Sequence, residues 1–193
     1  MDISIIVPLF NEEESLPHLE AWIDRVMRAN GFSYEVIMVD DGSKDGSWRA
    51  IERLSSANPC VKGVKFRRNY GKSAALNVGF EHAEGDVVVT MDADLQDDIN
   101  AVDEMIEKFD GGCDIVYGVR SERKTDTFFK KFTAQGYYKL LAMMGVDIVY
   151  NHADYRLMSR RALQNLESFG EVNLFLRGVV PMIGYKTDKV YYE

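Results

Sequence analysis

The chain has 193 residues, 46% of them hydrophobic and 28% charged, with a formal net charge of -8. That is enough chain for one globular domain with a buried core, and the composition excludes a disordered segment. The negative balance argues against nucleic acid as a partner, and two cysteines, Cys60 and Cys113, are too few for a disulfide framework or a zinc site and suit a reducing compartment.

"ISIIVPLF" (3–10) predicts a buried strand. Leu16, Leu19, Ile23 and Val26 then step by threes and fours, the mark of a helix with one apolar face, and Asn11 with Glu14 is expected to cap its start. "YEVIMVD" (34–40) reads as the second strand, and Trp48, Ile51 and Leu54 mark the helix after it. "VKGVKF" (61–66) leads into "SAALNVGFEHA" (73–83), and "DVVVTMD" (86–92) into a helix through Ile99, Val102, Met105 and Phe109. "CDIVYGV" (113–119) closes this portion. Five alternations of strand and helix predict an α/β fold: an open, mostly parallel sheet with helices on both faces. The remainder reads as a helix near 127–144, an extended piece at 154–159, helical patterns at 160–168 and 171–181, and a strand cut short in "DKVYYE". Met1 is followed by no signal-peptide pattern, and no run approaches the roughly 20 apolar residues of a membrane helix. The chain is therefore expected to be soluble as it stands.

In open parallel sheets, ligands bind beyond the carboxyl ends of the strands. Asn11 and Glu12, Asp40 and Asp41, and Asp92 and Asp94 all fall at such ends, so a site is expected there. In an extended segment residues i and i+2 face the same way, so Asp92 and Asp94 are expected to point together into the crevice. Two carboxylates held together need a counter-cation. Mg²⁺ or Mn²⁺ suits oxygen donors and accepts phosphate oxygens as further ligands, with Gln96 able to add an amide oxygen. Asp97 and Asp98 read as a helix start that favours negative charge. Competing motifs fail. An EF-hand would need glycine where Asp97 stands and glutamate where Asp103 stands, and the first strand is followed by neither a G-x-G-x-x-G nor a P-loop. His18, His82 and His152 have no metal-ligand spacing.

Two stretches run against the overall charge. Residues 61–73 carry five cations and no acid, and residues 120–131 carry five cations against two acids. "TFFKKF" in the second interleaves aromatics with cations, which suits a membrane interface.

Taken together, "VPLFNEEESL", "VDDGSKDGS", "RNYGKSAALNVGF", "MDADLQDD", "DIVYGVR", "DYRLMSRRAL" and "FLRG" resemble, in order and nearly end to end, the family 2 glycosyltransferases of GT-A fold. Within them the chain is most similar to the polyprenyl-phosphate glycosyltransferases, the dolichyl-phosphate mannose synthases and undecaprenyl-phosphate sugar transferases. The resemblance implies a metal-dependent inverting glycosyltransferase that moves a sugar from a UDP- or GDP-linked donor to a polyprenyl phosphate. It implies that Pro8, Phe10, Glu12, Val39, Asp41, Lys72, Asp92, Ala93 and Arg120 bind the nucleotide-sugar, Phe10 standing where tyrosine is common. It implies that Asp92, Asp94 and Gln96 hold Mg²⁺ or Mn²⁺, and that Asp154 stands where relatives carry a candidate general base. Arg123, Lys124, Lys130, Lys131 and Arg177 are expected to meet the acceptor phosphate. Residues 1–193 would then form a single catalytic domain, donor-binding over 1–119 and acceptor-facing over 120–193. A C-terminal membrane region would be missing, and the full-length enzyme would work at the cytoplasmic face of the cell membrane, with a homo-oligomer allowed. Two other readings stay open: a family 2 enzyme acting on a polysaccharide or glycan, and a nucleotide-binding module without catalysis.

Overall fold

Alternation at period two builds the sheet. In the computed structural model, which describes residues 2–121, 152–167, 180 and 184–192, Ile3, Ile5 and Val7 of β1 (Ile3–Leu9) point to one face and Ile6 to the other. Strand β2 (Tyr34–Asp40) repeats the pattern, with Val36 and Met38 on the first face and Ile37 and Val39 on the second. The other strands are β3 (Val61–Lys65), β4 (Val87–Thr90), β5 (Ile115–Arg120), β6 (His152–Ser159) and β7 (Thr187–Tyr192). They pair in the order β3-β2-β1-β4-β6-β5-β7. Every pairing is parallel except the two made by β6, which runs against both β4 and β5.

Helices cover both faces, as strands apolar on both sides require. On the first face lie α1 (Leu16–Ala29), α2 (Ser47–Ala57) and α4 (Ala101–Asp110), through Leu19, Ile23, Ile51, Val102 and Met105. On the second lie α3 (Lys72–His82), through Leu76 and Phe80, and α5 (Arg160–Glu167), through Leu163 and Leu166. Each fully buried aliphatic side chain contributes roughly 1.5–3 kcal/mol relative to exposure. Helix α3 comes close to β1 because Gly79 has no side chain: a Cβ there would stand 2.3 Å from Ile6 Cγ2.

Strand β6, read from the sequence only as a short extended piece, is inserted antiparallel between β4 and β5. Two expectations need correction. Strand β4 ends at Thr90 rather than running through Asp92, so the two aspartates lie in a turn and not on an extended segment. Asn11 does not cap α1: it takes a left-handed backbone (φ 58), and the residue before the helix is Ser15. The helices read at 127–144 and 171–181 lie outside the described residues except for Val180, which is buried.

Candidate functional site

The ends of β1 and β2 are laced together where they leave the sheet. Asn11 N–H donates to Ser43 Oγ (2.9 Å), and its side-chain Oδ1 accepts from Lys44 N–H (2.9 Å). Glu12 N–H donates to Ser47 Oγ (2.8 Å), and Gly46 N–H donates to the Glu13 carboxylate (2.9 Å). The small and acidic residues in "NEEES" and "DGSKDGS" thus serve turn geometry, the side chains of Asn11, Glu13, Ser43, Asp45 and Ser47 each satisfying a backbone group of the other loop.

The loop after β3 is fixed from below. Buried Asp41 accepts from Tyr70 N–H (2.6 Å) and Gly71 N–H (2.9 Å). Gly42 (φ 76) passes so close beneath that a Cβ would lie 2.4 Å from the Arg68 carbonyl carbon. These loops and the turn after β4 enclose a cavity of about 430 Å³. Pro8, Phe10 (40% exposed) and Glu12 line one side, Asp41, Asn69 and Gly71 the base, and Lys72, Ala75 and Asp92 through Asp94 the far wall. Of the residues expected to bind a nucleotide-sugar, Pro8, Phe10, Glu12, Asp41, Lys72, Asp92 and Ala93 line this one cavity. Val39 does not: its side chain is fully buried in the second core face.

The far wall is a line of alternating charge. Lys72 Nζ lies 2.5 Å from Asp92 Oδ1 and 2.8 Å from Asp154 Oδ2, and Arg156 Nη2 donates to Asp154 Oδ1 at 2.8 Å. Burial works against the Lys72 charge, but the carboxylates of Asp92 and Asp154 outweigh it and hold the ammonium above the usual lysine range. Asp154 reaches this wall because β6 runs backwards, which puts its beginning at the rim where β1, β2 and β4 end. Thr90 Oγ1 fixes it there by donating to the Asp154 carbonyl.

The acidic turn has its own supports. Leu95 takes a left-handed backbone (φ 61), and Gln96 N–H donates to Asp94 Oδ1 at 3.1 Å. Gln96 Oε1 accepts from Arg120 at the end of β5 (2.7 Å), so these two expected site residues meet each other beside the turn. Asp97 is not a helix-start residue. It is 4% exposed beneath the turn, one oxygen accepting from Asp92 N–H (2.9 Å) and the other from Tyr192 Oη (2.7 Å). Burial, with repulsion from Asp92 and Asp94, raises its pKa although both hydrogen bonds pull the other way. Asp98 does lie near the start of α4, accepting from Asn100 N–H at 2.9 Å, and its carbonyl accepts from Tyr155 Oη at 2.8 Å.

The donor set suits a hard divalent cation. Asp92 and Asp94 offer carboxylate oxygens into an open cavity, and no group of three or more metal-ligating side chains occurs among the described residues. One or two carboxylates, with water and phosphate oxygens completing the shell, is the arrangement Mg²⁺-like ions adopt at phosphate sites. Asp97, Tyr155 and Tyr192 were not singled out from the sequence as parts of this site. Arg123, Lys124, Lys130, Lys131 and Arg177 lie outside the described residues.

Residues 4–167 match the Glycosyl transferase family 2 domain. The chain is 45% identical over 199 residues to the uncharacterized glycosyltransferase YkoT of Bacillus subtilis, covering 99% of this chain and 59% of that protein. It is 39% identical over 193 residues to the bactoprenol glucosyl transferase of Shigella phage SfV, covering 100% of this chain and 63% of that protein. It thus spans about three-fifths of the length of either relative. Among solved structures, the mannosyltransferase PcManGT from Pyrobaculum calidifontis, in complex with GDP-Man and Mn²⁺, superposes with a TM-score of 0.67 at 22% identity, over 98% of this chain and 54% of that one. At that identity the likeness establishes the GT-A fold.

Proposed function

The chain belongs to glycosyl transferase family 2, and from that premise we propose that it carries the catalytic domain of an enzyme that moves a sugar from a nucleotide-sugar donor to a polyprenyl phosphate. The observation that carries this reading is the cavity at the sheet rim, where Asp92, Asp94 and Lys72 share one wall and Asp154 stands directly behind Lys72. The relative named as a bactoprenol glucosyl transferase supports the acceptor class, and the Mn²⁺ and GDP-Man in PcManGT support a metal-bound nucleotide donor.

On this reading the nucleoside enters against Pro8, Phe10 and Glu12, and the diphosphate reaches the wall of Lys72 and the acidic turn. Asp92 and Asp94, with Gln96 beside them, would hold a divalent ion, and the ion would supply positive charge where negative charge builds on the departing diphosphate. Lys72 adds a fixed ammonium at the same wall, and Arg120 stands at its edge through Gln96. An acceptor phosphate oxygen forms the new bond to the anomeric carbon from the face opposite the leaving group, and the nucleoside diphosphate departs with the bonding pair, inverting the centre.

A phosphomonoester loses its second proton with a pKa near 6, so such an acceptor is already a nucleophile at neutral pH. The geometry of Asp154 agrees with this chemistry. Both its oxygens face cationic donors, so the carboxylate orients Lys72 rather than removing a proton. No helix among the described residues is long and apolar enough to cross a membrane, and membrane association is proposed for the remainder of a longer protein.

The test is incubation of the full-length protein with labelled UDP- and GDP-sugars, undecaprenyl phosphate and Mn²⁺ or Mg²⁺. Metal-dependent label in the lipid fraction is expected. Label passing to a soluble glycan while the lipid stays unlabelled would remove the acceptor assignment, and nucleotide binding with no transfer to any acceptor would reduce the domain to a binding module.

A further inference from the structure

The acidic turn is held by residues that arrive from the other end of the chain. Asp97, 4% exposed, sits under the turn with both carboxylate oxygens engaged: Oδ2 takes the Asp92 N–H at 2.9 Å and Oδ1 takes the Tyr192 hydroxyl at 2.7 Å. The Tyr155 hydroxyl donates to the Asp98 carbonyl at 2.8 Å. The rings of Tyr155 and Tyr192 meet edge to face, centroids 5.4 Å apart, so each fixes the approach of the other. Tyr192 also pairs with Arg120 across the β5–β7 ladder, and Arg120 reaches the same turn at Gln96. The turn is thus anchored at one backbone carbonyl and two side chains by residues of three strands, and Asp97 carries that anchorage to the Asp92 amide.

We infer that Asp97, Tyr192 and Tyr155 are positioning residues for the Asp92–Asp94 pair, a mount that presets the spacing of the two carboxylates before any ligand arrives. A burial site for a carboxylate with no structural use would be costly. Here its cost is offset by two hydrogen bonds, and each ends on a group whose position decides where Asp92 stands. The turn itself carries backbone strain, since Leu95 takes a left-handed conformation that such a residue rarely adopts, and such strain persists only where the surroundings hold it. Outer-shell partners of this kind set the placement of the groups that meet a metal without touching it themselves. This inference rests on the proposed nucleotide-sugar function for its consequence, though not for its geometry.

The test has two arms on Tyr192→Phe, which deletes one hydroxyl and leaves the β5–β7 pairing in place, with Asp97→Asn as a second variant. In the first arm, amide hydrogen exchange is followed without metal. Exchange over residues 91–98 is expected to speed up by about tenfold in Tyr192→Phe while peptides from β1 and β2 keep their wild-type rates. Unchanged protection over 91–98 would overturn the mount. In the second arm, binding of UDP and GDP is titrated with Mn²⁺. The half-saturating Mn²⁺ concentration is expected to rise about tenfold in Tyr192→Phe, and at least as far in Asp97→Asn, with metal-free nucleotide affinity unchanged. A looser turn with a wild-type Mn²⁺ midpoint would make these residues merely structural and overturn the positioning role. If wild-type protein shows no metal-dependent nucleotide binding, the proposed function fails, while the exchange arm still decides whether the mount exists.

Discussion

Arg156 donates to Asp154 at 2.8 Å from two positions further along the same strand, so the pair projects from one face of β6 and the guanidinium is 1% exposed. Asp154→Ala removes an acid from beside a buried cation and is expected to destabilise the fold by about 3 kcal/mol. Asp154→Asn keeps the volume and an acceptor oxygen, so most of the stability should survive while kcat falls. With a polyprenyl phosphate as acceptor, the acid limb of its pH–rate profile should persist near pH 6, the second ionisation of the acceptor. Loss of that limb in Asp154→Asn would restore this residue to the role of general base.

Lys72→Met keeps the aliphatic stem of Lys72 and deletes the charge shared by Asp92 and Asp154. Transition-state donors of this kind contribute about 10²–10³ in kcat, and a loss of that order is expected with circular dichroism unchanged. A variant with wild-type turnover would show that Lys72 serves only to neutralise its neighbours.

Asp94 is exposed, and its carboxylate accepts from the neighbouring Gln96 N–H. Asp94→Asn should therefore alter stability by less than about 0.5 kcal/mol. Calorimetry should nevertheless show the Mn²⁺-dependent part of nucleotide affinity abolished. Retained ion dependence would count against this turn as the metal site.

Gly42→Ala sets a Cβ 2.4 Å from the Arg68 backbone at φ 76. Backbone strain at such a position costs on the order of 1–3 kcal/mol, and the displaced loop carries Asn69 and Gly71 away from the cavity, so nucleotide affinity should fall with stability. Gly31→Ala is the control: its φ is 73 but nothing lies within 4 Å, so it should lose stability to strain alone and bind nucleotide normally.

Glu35 offers a pH test away from the site. Its side chain is 1% exposed; desolvation opposes its charge, but Lys62 at 2.7 Å, the Ser4 hydroxyl and the Glu84 N–H prevail and hold its pKa below the usual 4.5. A depressed folded pKa contributes stability that is fully present above the unfolded value and is lost as pH falls through the folded one. Glu35→Gln should thus cost roughly 1–3 kcal/mol near neutral pH, and urea unfolding should show the difference from wild type shrinking below about pH 4.5. A difference that stays constant into acid would contradict the ion pair.

The carboxylates of the rim were legible in the sequence because a parallel sheet collects its ligand groups at one end of every strand, and strand ends are visible as apolar runs meeting acids. Asn11 was misread because the Asn-x-x-Glu spacing is the same whether the residue caps a helix or turns left-handed; only the partners, Ser43 and Lys44, distinguish the two. The reversal of β6 was illegible, since "DYRLMS" has the same pattern in either direction and pairing is decided by neighbours remote in sequence. Asp97 looked like ordinary helix-start acid for the same reason: its partner Tyr192 is 95 residues away. Val39 was placed beside the nucleotide by resemblance alone, where the alternation of β2 turns its side chain into the core.

Because β6 and β7 both reach the acidic turn, synthesis completes the anchorage of that turn only after β1 to β5 have emerged. A nascent chain that has emerged only as far as β5 possesses every residue that lines the cavity, yet lacks Asp154 and the tyrosines that hold the turn. The geometry of the rim therefore waits on strands made after those whose loops line the cavity.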